Sequence, residues 1–215
     1  MSIAQNLRHI TSTLAQNVTL VAVSKTKPIS DIQEAYNTGQ RVFGENKIQE
    51  MVEKHEVLPK DIEWHMIGHL QSNKVKYMAS FVSLIHGVDK FSTLKEINKQ
   101  AKKHNRTIDC LLQVKIAEED TKFGLSQKEI LAILSSDDLK ALQNINIKGF
   151  MGMASNTNNE EQVNEEFKSL KAFYDDCAHK HDFSILSMGM SGDFSLAIEQ
   201  GSTMIRVGSA IFGTR

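Results

Sequence analysis

The stretch FSILSMGMSGDFSLAIEQGSTMIRVGSAIF, residues 183–212, contains two apolar runs separated by a short segment of helical character. The first run is FSILSMGM (183–190), the second is TMIRVGSAIF (203–212), and residues 193–200 lie between them. Both runs are nearly continuously apolar, which is typical of parallel strands that are covered on both faces. The stretch therefore predicts a strand, a short helix and a second strand parallel to the first.

Six further runs of the same kind precede this stretch. They alternate with segments in which apolar residues step by three and four, as do Phe91, Leu94, Ile97 and Ala101. Eight strands alternating with helices predict a single (β/α)8 TIM-type barrel, for which roughly 200 residues is the lower end. A doubly wound open sheet is the competing α/β arrangement, and the count of eight favours the barrel. The six runs are TLVAVSK (19–25), RVFGEN (41–46), EWHMIGHL (63–70), VSLIHGVD (82–89), TIDCLLQVKIA (107–117) and IKGFMGMA (147–154).

Helix boundaries are also marked in the sequence. A helix over roughly residues 2–16 precedes the first strand and is an addition to the repeat. Gly39 lies where a helix would end before the second strand. Three pairs fit a capping box, in which two side chains satisfy the free N–H groups of a helix start. These pairs are Ser30 with Gln33, Thr93 with Glu96, and Ser126 with Glu129.

The composition excludes several classes of protein. The 25 Lys and Arg residues nearly balance 26 Asp and Glu, giving a net charge of -1, which argues against a nucleic-acid-binding protein. No apolar run is long enough for a transmembrane helix, and the N-terminus lacks the apolar region of a signal peptide. The two cysteines, Cys110 and Cys177, are too few for a disulfide framework. We therefore expect one cytoplasmic domain over residues 1–215.

In either α/β architecture, functional residues follow the carboxyl ends of the strands. These positions therefore define where a site is expected. They are Lys25, Glu45, Asn46, His69, His86, Asp89, Lys115, residues 151–155, residues 188–192, Gly208 and Ser209.

Lys25 ends the first predicted strand and is the first candidate for a reactive group. Period-two alternation places it on the same face as Val21 and Val23, and that face would line the barrel. Partial desolvation and the nearby charge of Lys27 both favour the neutral, nucleophilic amine that Schiff-base chemistry requires. A strand-end lysine that simply reaches solvent is the alternative.

Other basic and imidazole side chains are weaker candidates. Lys115 is a rival for the Schiff-base role, whereas Lys148 begins its strand and would lie at the wrong end of the barrel. His65 and His69 are four residues apart in one strand, which is ~13 Å and too far to share one zinc ion. We therefore expect no metal site.

Two turns rich in glycine and serine are the second candidate feature. SMGMSGD (187–193) follows the seventh strand, and RVGSAIFG (206–213) contains the end of the eighth. Small residues let backbone N–H groups approach an anion closely, and loops after strands seven and eight of a barrel are a common phosphate site. Neither turn matches a dinucleotide-binding or Walker motif, and ordinary loop turns are the alternative.

Arg206 lies in the otherwise apolar last strand. A buried guanidinium needs an acceptor because an unpaired buried charge is very costly. A carboxylate such as Glu45 would make the pairing structural, and a ligand heteroatom would make it functional. Both alternatives stay open at this point.

A reactive lysine opposite a phosphate cradle fits a phosphate-bearing aldehyde bound as a Schiff base. Pyridoxal 5′-phosphate (PLP) is the leading molecule of this kind. The substrate of a class I-type aldolase is the second.

Six motifs of the chain, in order, resemble the pyridoxal phosphate homeostasis proteins. These are VAVSKTKP, FGENKIQE, WHMIGHLQSNKVK, KFGL, GFMGM and LSMGMSGDFSLAIEQGSTMIRVGSAIFG. The family is similar in fold to the N-terminal barrel of bacterial alanine racemase, which is PLP fold type III. The resemblance implies that Lys25 carries PLP and that Arg206 faces the pyridine nitrogen. It also implies phosphate contacts from Ser191, Gly208 and Ser209, and pocket contacts from Asn46 and Met188.

The resemblance also bears on activity. Members of this family hold or deliver PLP, with PLP-dependent apoenzymes as recipients, and balance amino-acid and keto-acid pools. Alanine racemase needs a second domain that supplies a tyrosine base, and this chain ends at Arg215, directly after the eighth strand. We therefore expect a monomeric PLP carrier without a catalytic residue of its own. A PLP-dependent racemase-type enzyme is the alternative, followed by a Schiff-base aldolase.

Overall fold

The computed structural model describes residues 2–117 and 123–214. Within these residues, eight parallel strands form a closed barrel in which each strand pairs with the next along the chain and the last pairs with the first. The predicted (β/α)8 barrel is confirmed, and the open sheet is excluded by this closure. The strands are β1 (Thr19–Val23), β2 (Val42–Glu45), β3 (Glu63–Met66), β4 (Leu84–Val88), β5 (Ile108–Val114), β6 (Ile145–Gly152), β7 (Ile185–Ser187) and β8 (Met204–Val207).

Helices surround the barrel and connect its strands. The predicted extra helix before the first strand is present as α1 (Ile3–Thr13). The short segment after β3 is a 3-10 helix, Ser72–Tyr77. The remaining helices are α2 (Ile29–Asn37), α3 (Ile48–Val57), α4 (Phe91–Lys103), α5 (Gln127–Ser135), α6 (Asp137–Lys140), α7 (Glu160–Ala178), α8 (Phe194–Glu199) and α9 (Ser209–Phe212).

Two apolar cores hold these layers together. The larger core lies between the barrel and the helices, and it includes the apolar stripe of α7. The smaller core joins one side chain from each of five strands, so it fills the inside of the barrel. Its buried members are Val21, Leu84, Leu111, Met151 and Met204.

One of the three predicted capping boxes is confirmed. The Ser126 hydroxyl accepts from the Glu129 N–H, and the Glu129 carboxylate accepts from the Ser126 N–H. The predictions at Ser30 and Thr93 are wrong, because α2 and α4 each begin before these residues. Pro28 already fixes the backbone at the start of α2, and Thr93 is buried within α4.

Gly39 ends α2 as predicted. Its φ of 103° lies in the left-handed region, and its N–H donates to the Tyr36 carbonyl, which closes the last helical turn. None of the helices within residues 2–117 and 123–214 is long and apolar enough to cross a membrane. Lys122, the first residue of the KFGL motif, lies outside the described residues.

Candidate functional site

A cavity of about 550 Å³ opens at the carboxyl ends of the strands. Its walls come from the ends of β1, β2, β3, β5, β6, β7 and β8 and the loops that follow them, which is where the sequence predicts a site. Six of the seven predicted site residues line it. These are Lys25, Asn46, Ser191, Arg206, Gly208 and Ser209.

Met188 does not line this cavity, contrary to the prediction. Its side chain is fully buried in the larger core, and Met190 lies in the cavity wall instead. The reason is the alternation of β7, which points Ser187 into the barrel and the neighbouring Met188 outward toward the helices. Met188 therefore packs in the larger core, between the barrel and the helices, and not in the cavity wall.

Lys25 lies immediately after β1 in a strained turn. The next residue, Thr26, has a φ of 64°, a left-handed conformation that is unusual for a β-branched side chain. The Thr26 N–H donates to the Glu50 carboxylate at 2.5 Å, which holds the turn in place. Strain of this kind is found where the surroundings fix the backbone at functional sites.

A buried ionic cluster lies directly behind this turn. The Lys54 ammonium donates to Glu45 at 2.7 Å, to Glu50 at 2.7 Å and to the Ser24 carbonyl at 2.8 Å. The Ser24 hydroxyl also donates to Glu45, at 2.6 Å. We call Ser24, Glu45, Glu50 and Lys54 the Lys54 cluster. It ties β1, β2 and α3 together and so fixes the backbone on both sides of Lys25.

The Glu45 carboxylate of this cluster is fully buried. Burial raises its pKa, while hydrogen bonds from Lys54 and Ser24 act in the opposite direction. The cluster could not be predicted from the sequence because its members come from three separate elements. The spacing of Glu50 and Lys54, four residues apart on one helix, was the one local signal.

Arg206 is buried inside the barrel and reaches the cavity from β8. Its Nη1 donates to the Ser187 carbonyl at 2.9 Å and to the Ser187 hydroxyl at 2.6 Å, and its Nη2 donates to the Gly152 carbonyl at 3.0 Å. Glu45 is not its partner, because that carboxylate is bound by Lys54. Burial lowers the pKa of Arg206 to about 10, so the guanidinium stays charged at neutral pH.

The two predicted glycine- and serine-rich turns meet at one side of the cavity. The Ser191 hydroxyl accepts from the Gly208 N–H at 3.1 Å and so joins the loop after β7 to the loop after β8. A Cβ at position 208 would lie only 3.3 Å from Val23, whereas a Cβ at Gly192 would meet open space. No residue within the described ranges accepts from the N–H groups of Gly192 and Ser209, so this side offers free donors to an anion.

The wall near β3 carries a histidine–aspartate pair. His69 lines the cavity, and its Nδ1 lies 3.2 Å from the carboxylate of the buried Asp89. The imidazole stacks on Phe123, with ring centroids 4.3 Å apart. This arrangement fixes the orientation of the ring, and Asp89 leaves its Nε2 unengaged.

The other predicted candidates lie away from the cavity. Lys115 is exposed and does not line the cavity. Lys148 lies near the opposite end of the barrel, where it pairs with Asp182 at 3.4 Å. His86 is buried inside the barrel. Across residues 2–117 and 123–214, no group of three or more His, Cys, Asp or Glu side chains is arranged to hold a metal ion.

Comparison with known proteins gives one consistent result. The family model described as "Alanine racemase, N-terminal domain" matches residues 1–215. The pyridoxal phosphate homeostasis protein of Aquifex aeolicus is 39% identical over 199 residues, which is 91% of this chain and 86% of that protein. The protein of the same name from Vibrio alginolyticus is 38% identical and covers 100% of this chain and 98% of its own length.

Two solved structures are informative. PipY of Synechococcus elongatus with PLP bound superimposes with a TM-score of 0.90 at 34% identity, covering 99% of this chain and 100% of PipY. Alanine racemase of Clostridium difficile superimposes with a TM-score of 0.80 at 14% identity, covering 100% of this chain and 57% of the racemase. The second likeness concerns the fold alone.

Proposed function

The chain belongs to the family of pyridoxal phosphate homeostasis proteins, and on this premise we propose that it holds PLP in the cavity at the strand ends and delivers it to PLP-dependent apoenzymes. The observation that carries the proposal is the placement of Lys25 and Arg206 in one cavity with the joined loops at Ser191 and Gly208. In this reading residues 1–215 act as one PLP-binding barrel domain.

The residues present fit the phosphate group. The loops joined by Ser191 offer the N–H groups of Gly192 and Ser209, and a Cβ at Gly192 would meet nothing within 4 Å, so the backbone there is open to close approach. Small residues and free backbone donors of this kind bind phosphate in many barrels. We assign Ser191, Gly208 and Ser209 to the phosphate.

The residues also fit the ring and the aldehyde. Arg206 has five N–H groups, of which three are bound by Ser187 and Gly152, so two remain for a ligand. We assign one of them to the pyridine nitrogen, which has a single lone pair in the plane of the ring. We assign Lys25 to the aldehyde as a Schiff base and Asn46 to the cavity wall between them. When bound, PLP supplies an aldehyde carbon that exchanges one amine for another.

We propose that the protein holds PLP without robust catalysis of its own. The charged Arg206 facing the pyridine nitrogen favours the unprotonated ring, which is a weaker electron sink. Such a ring suits storage and transfer more than carbanion chemistry. A consequence is a role in the balance of amino-acid and keto-acid pools, and the free, buried thiols of Cys110 and Cys177 support a cytoplasmic setting.

The test is incubation of the purified apo-protein with PLP, removal of unbound PLP by gel filtration, and an absorbance spectrum of the protein. We expect a yellow complex in the wild type and its loss in Lys25→Ala. Lys115→Ala is the matched control, because it removes the rival lysine without touching the cavity, and it should bind as the wild type does. A wild type that stays colourless, or an effect of Lys115→Ala equal to that of Lys25→Ala, would contradict the proposal.

A racemase-type enzyme is the second candidate. The His69–Asp89 pair in the cavity wall favours it, because an oriented imidazole is a suitable acid or base. Incubation of the loaded protein with amino acids in deuterated solvent tests it. Exchange of the α-proton that is lost in His69→Gln would support this candidate, and no exchange would eliminate it.

A further inference from the structure

Three polar side chains are buried inside the barrel close to Arg206. Ser187 on β7 and His86 on β4 are fully buried, and His65 on β3 is nearly so. Their backbone positions are far apart in sequence, but their side chains meet one another and Arg206. We call Ser187, His86 and His65 the barrel chain.

The contacts of the barrel chain form one continuous path. The Ser187 hydroxyl lies 2.6 Å from Arg206 Nη1 and 3.1 Å from His86 Nδ1. The other nitrogen of His86, Nε2, lies 3.1 Å from His65 Nδ1. Each step is within hydrogen-bond distance.

The direction of these hydrogen bonds follows from counting protons. Arg206 can only donate, so the Ser187 oxygen accepts from it. The single Ser187 proton then needs an acceptor, and among the described residues His86 Nδ1 is the one within reach. His86 must therefore carry its proton on Nε2 and donate to His65 Nδ1, which places the His65 proton on Nε2.

The reverse direction is disfavoured on two grounds. If His86 Nδ1 donated to Ser187, the serine proton would be buried without an acceptor. If either ring were protonated, a second positive charge would be buried near Arg206. Burial lowers the pKa of His65 to about 3 and that of His86 well below its ordinary value, so both rings are neutral at pH 7.

We propose that Ser187, His86 and His65 are positioning residues that fix the guanidinium of Arg206 through hydrogen bonds running in one direction along the barrel chain. The Ser187 carbonyl and hydroxyl together occupy both protons of Nη1, so the plane of the guanidinium is set. The two N–H groups left over are then held toward the cavity. That one of them meets the pyridine nitrogen of PLP rests on the proposed function.

The first test needs no cofactor. Long-range 1H–15N spectra of the apo-protein labelled at histidine report the tautomer of each ring. We expect His65 and His86, assigned by comparison with single histidine variants, both to be neutral and protonated on Nε2 at pH 7, with Nδ1 acting as a hydrogen-bond acceptor. The proposal is overturned if either His65 or His86 carries its proton on Nδ1 or is charged at pH 7.

The second test measures positioning in the loaded protein. Ser187→Ala removes the hydroxyl and should weaken PLP binding about tenfold and shift the 15N resonance of the bound pyridine nitrogen. Ser187→Thr keeps a hydroxyl and should restore both. Ser202→Ala is the matched control, because this buried hydroxyl donates only to backbone carbonyls, such as that of Met188 at 2.8 Å.

Equal behaviour of Ser187→Ala and Ser202→Ala would overturn the proposal, as would a failure of Ser187→Thr to restore the resonance. If the wild type takes up no PLP, the proposed function fails. The histidine tautomers of the apo-protein still test the hydrogen bonds of the barrel chain in that case. Failure of the proposed function and failure of this proposal can therefore be told apart.

Discussion

Two cations, Lys54 behind the turn at Lys25 and Arg206 in the cavity wall, are buried, and their partners differ in kind. Lys54 exposes 5% of its surface and binds two carboxylates, those of Glu45 and Glu50. Arg206 exposes 4% and is held by a hydroxyl and backbone carbonyls, with no hydrogen bond to a carboxylate of the described residues. Lys54 is thus neutralised within the protein, whereas the charge of Arg206 remains available to a ligand.

The difference shows that burial of a basic residue does not by itself indicate function. The acceptors around the buried cation determine whether its role is structural or functional. A cation compensated by carboxylates joins elements of the fold, as Lys54 joins β1, β2 and α3. A cation held only by neutral acceptors keeps N–H groups and charge for the site.

Lys54→Met should cause the largest loss of stability. It leaves the buried Glu45 carboxylate without its cation, and removing one partner of a buried ion pair costs about 3–5 kcal/mol. Denaturant unfolding measures this loss. Lys168→Met is the control, because Lys168 forms an exposed pair with Glu165 that is worth about 0–1 kcal/mol. Equal losses in the two variants would contradict the role given to the Lys54 cluster.

Acid should lower the free energy of unfolding, because the neutral histidines of the barrel chain beside Arg206 become protonated on unfolding. The pKa of His65 is lowered by burial to about 3, below its value in the unfolded chain, so its contribution to stability is complete above pH 6.5 and lost as the pH falls from 6.5 toward 3. The free energy of unfolding should fall by about 1.4 kcal/mol for each such histidine and each pH unit.

Denaturant unfolding between pH 7 and pH 4.5 checks this slope. His65→Asn should flatten it, whereas the exposed His104→Gln should leave it unchanged. Glu45 acts with the opposite sign, since burial raises its pKa and its contribution is lost as the pH rises. A slope that is the same in wild type and His65→Asn would count against the neutral barrel chain.

Arg206→Met should lower the affinity for PLP strongly and the stability of the fold only moderately. No buried carboxylate loses its partner, so the stability cost should be about 1–3 kcal/mol, smaller than for Lys54→Met. PLP affinity, however, should fall more than tenfold because two N–H donors leave the cavity. Unfolding and PLP titration of the same preparation measure both. A large loss of stability with unchanged affinity would reverse the roles assigned to the two cations.

Thr26→Gly should have the smallest effect, and this effect should be a gain in stability. Glycine adopts the left-handed backbone without a Cβ penalty, and after its entropic cost the net stabilisation should be about 0.5–1 kcal/mol. Asn105→Gly, at a φ of 52°, is the control and should gain less, because asparagine tolerates this conformation. Thermal unfolding checks both. Equal gains would mean that the turn after Lys25 is not specially strained.

The barrel and most of the cavity could be predicted from the sequence, because strand count and strand ends are local patterns. Lys25, Ser191 and Gly208 follow from the rule that parallel strands present their carboxyl ends to one site. Arg206 stands out in the sequence for a different reason, as a charge within an otherwise apolar strand. The pocket contact of Met188 is implied by the family resemblance alone, and its side chain lies in the larger core because neighbouring residues of a strand alternate between its two faces.

The partners of the buried charges could not be predicted. Glu45 was assigned to Arg206 as one alternative, and its cation instead comes from α3. Ser187 and His86 are 101 residues apart, and no local sequence pattern at either residue predicts their contact. Such contacts are set by the closure of the barrel, which brings distant strands face to face.

Attachment of PLP to Lys25 is the central claim, and one measurement tests it most directly. The protein is incubated with PLP, reduced with borohydride, digested and mapped by mass spectrometry. We expect a pyridoxyl group on the peptide that contains Lys25, and on no peptide of the Lys25→Ala variant. A modification on Lys115 or Lys148 in place of Lys25, or no modification in the wild type, would contradict it.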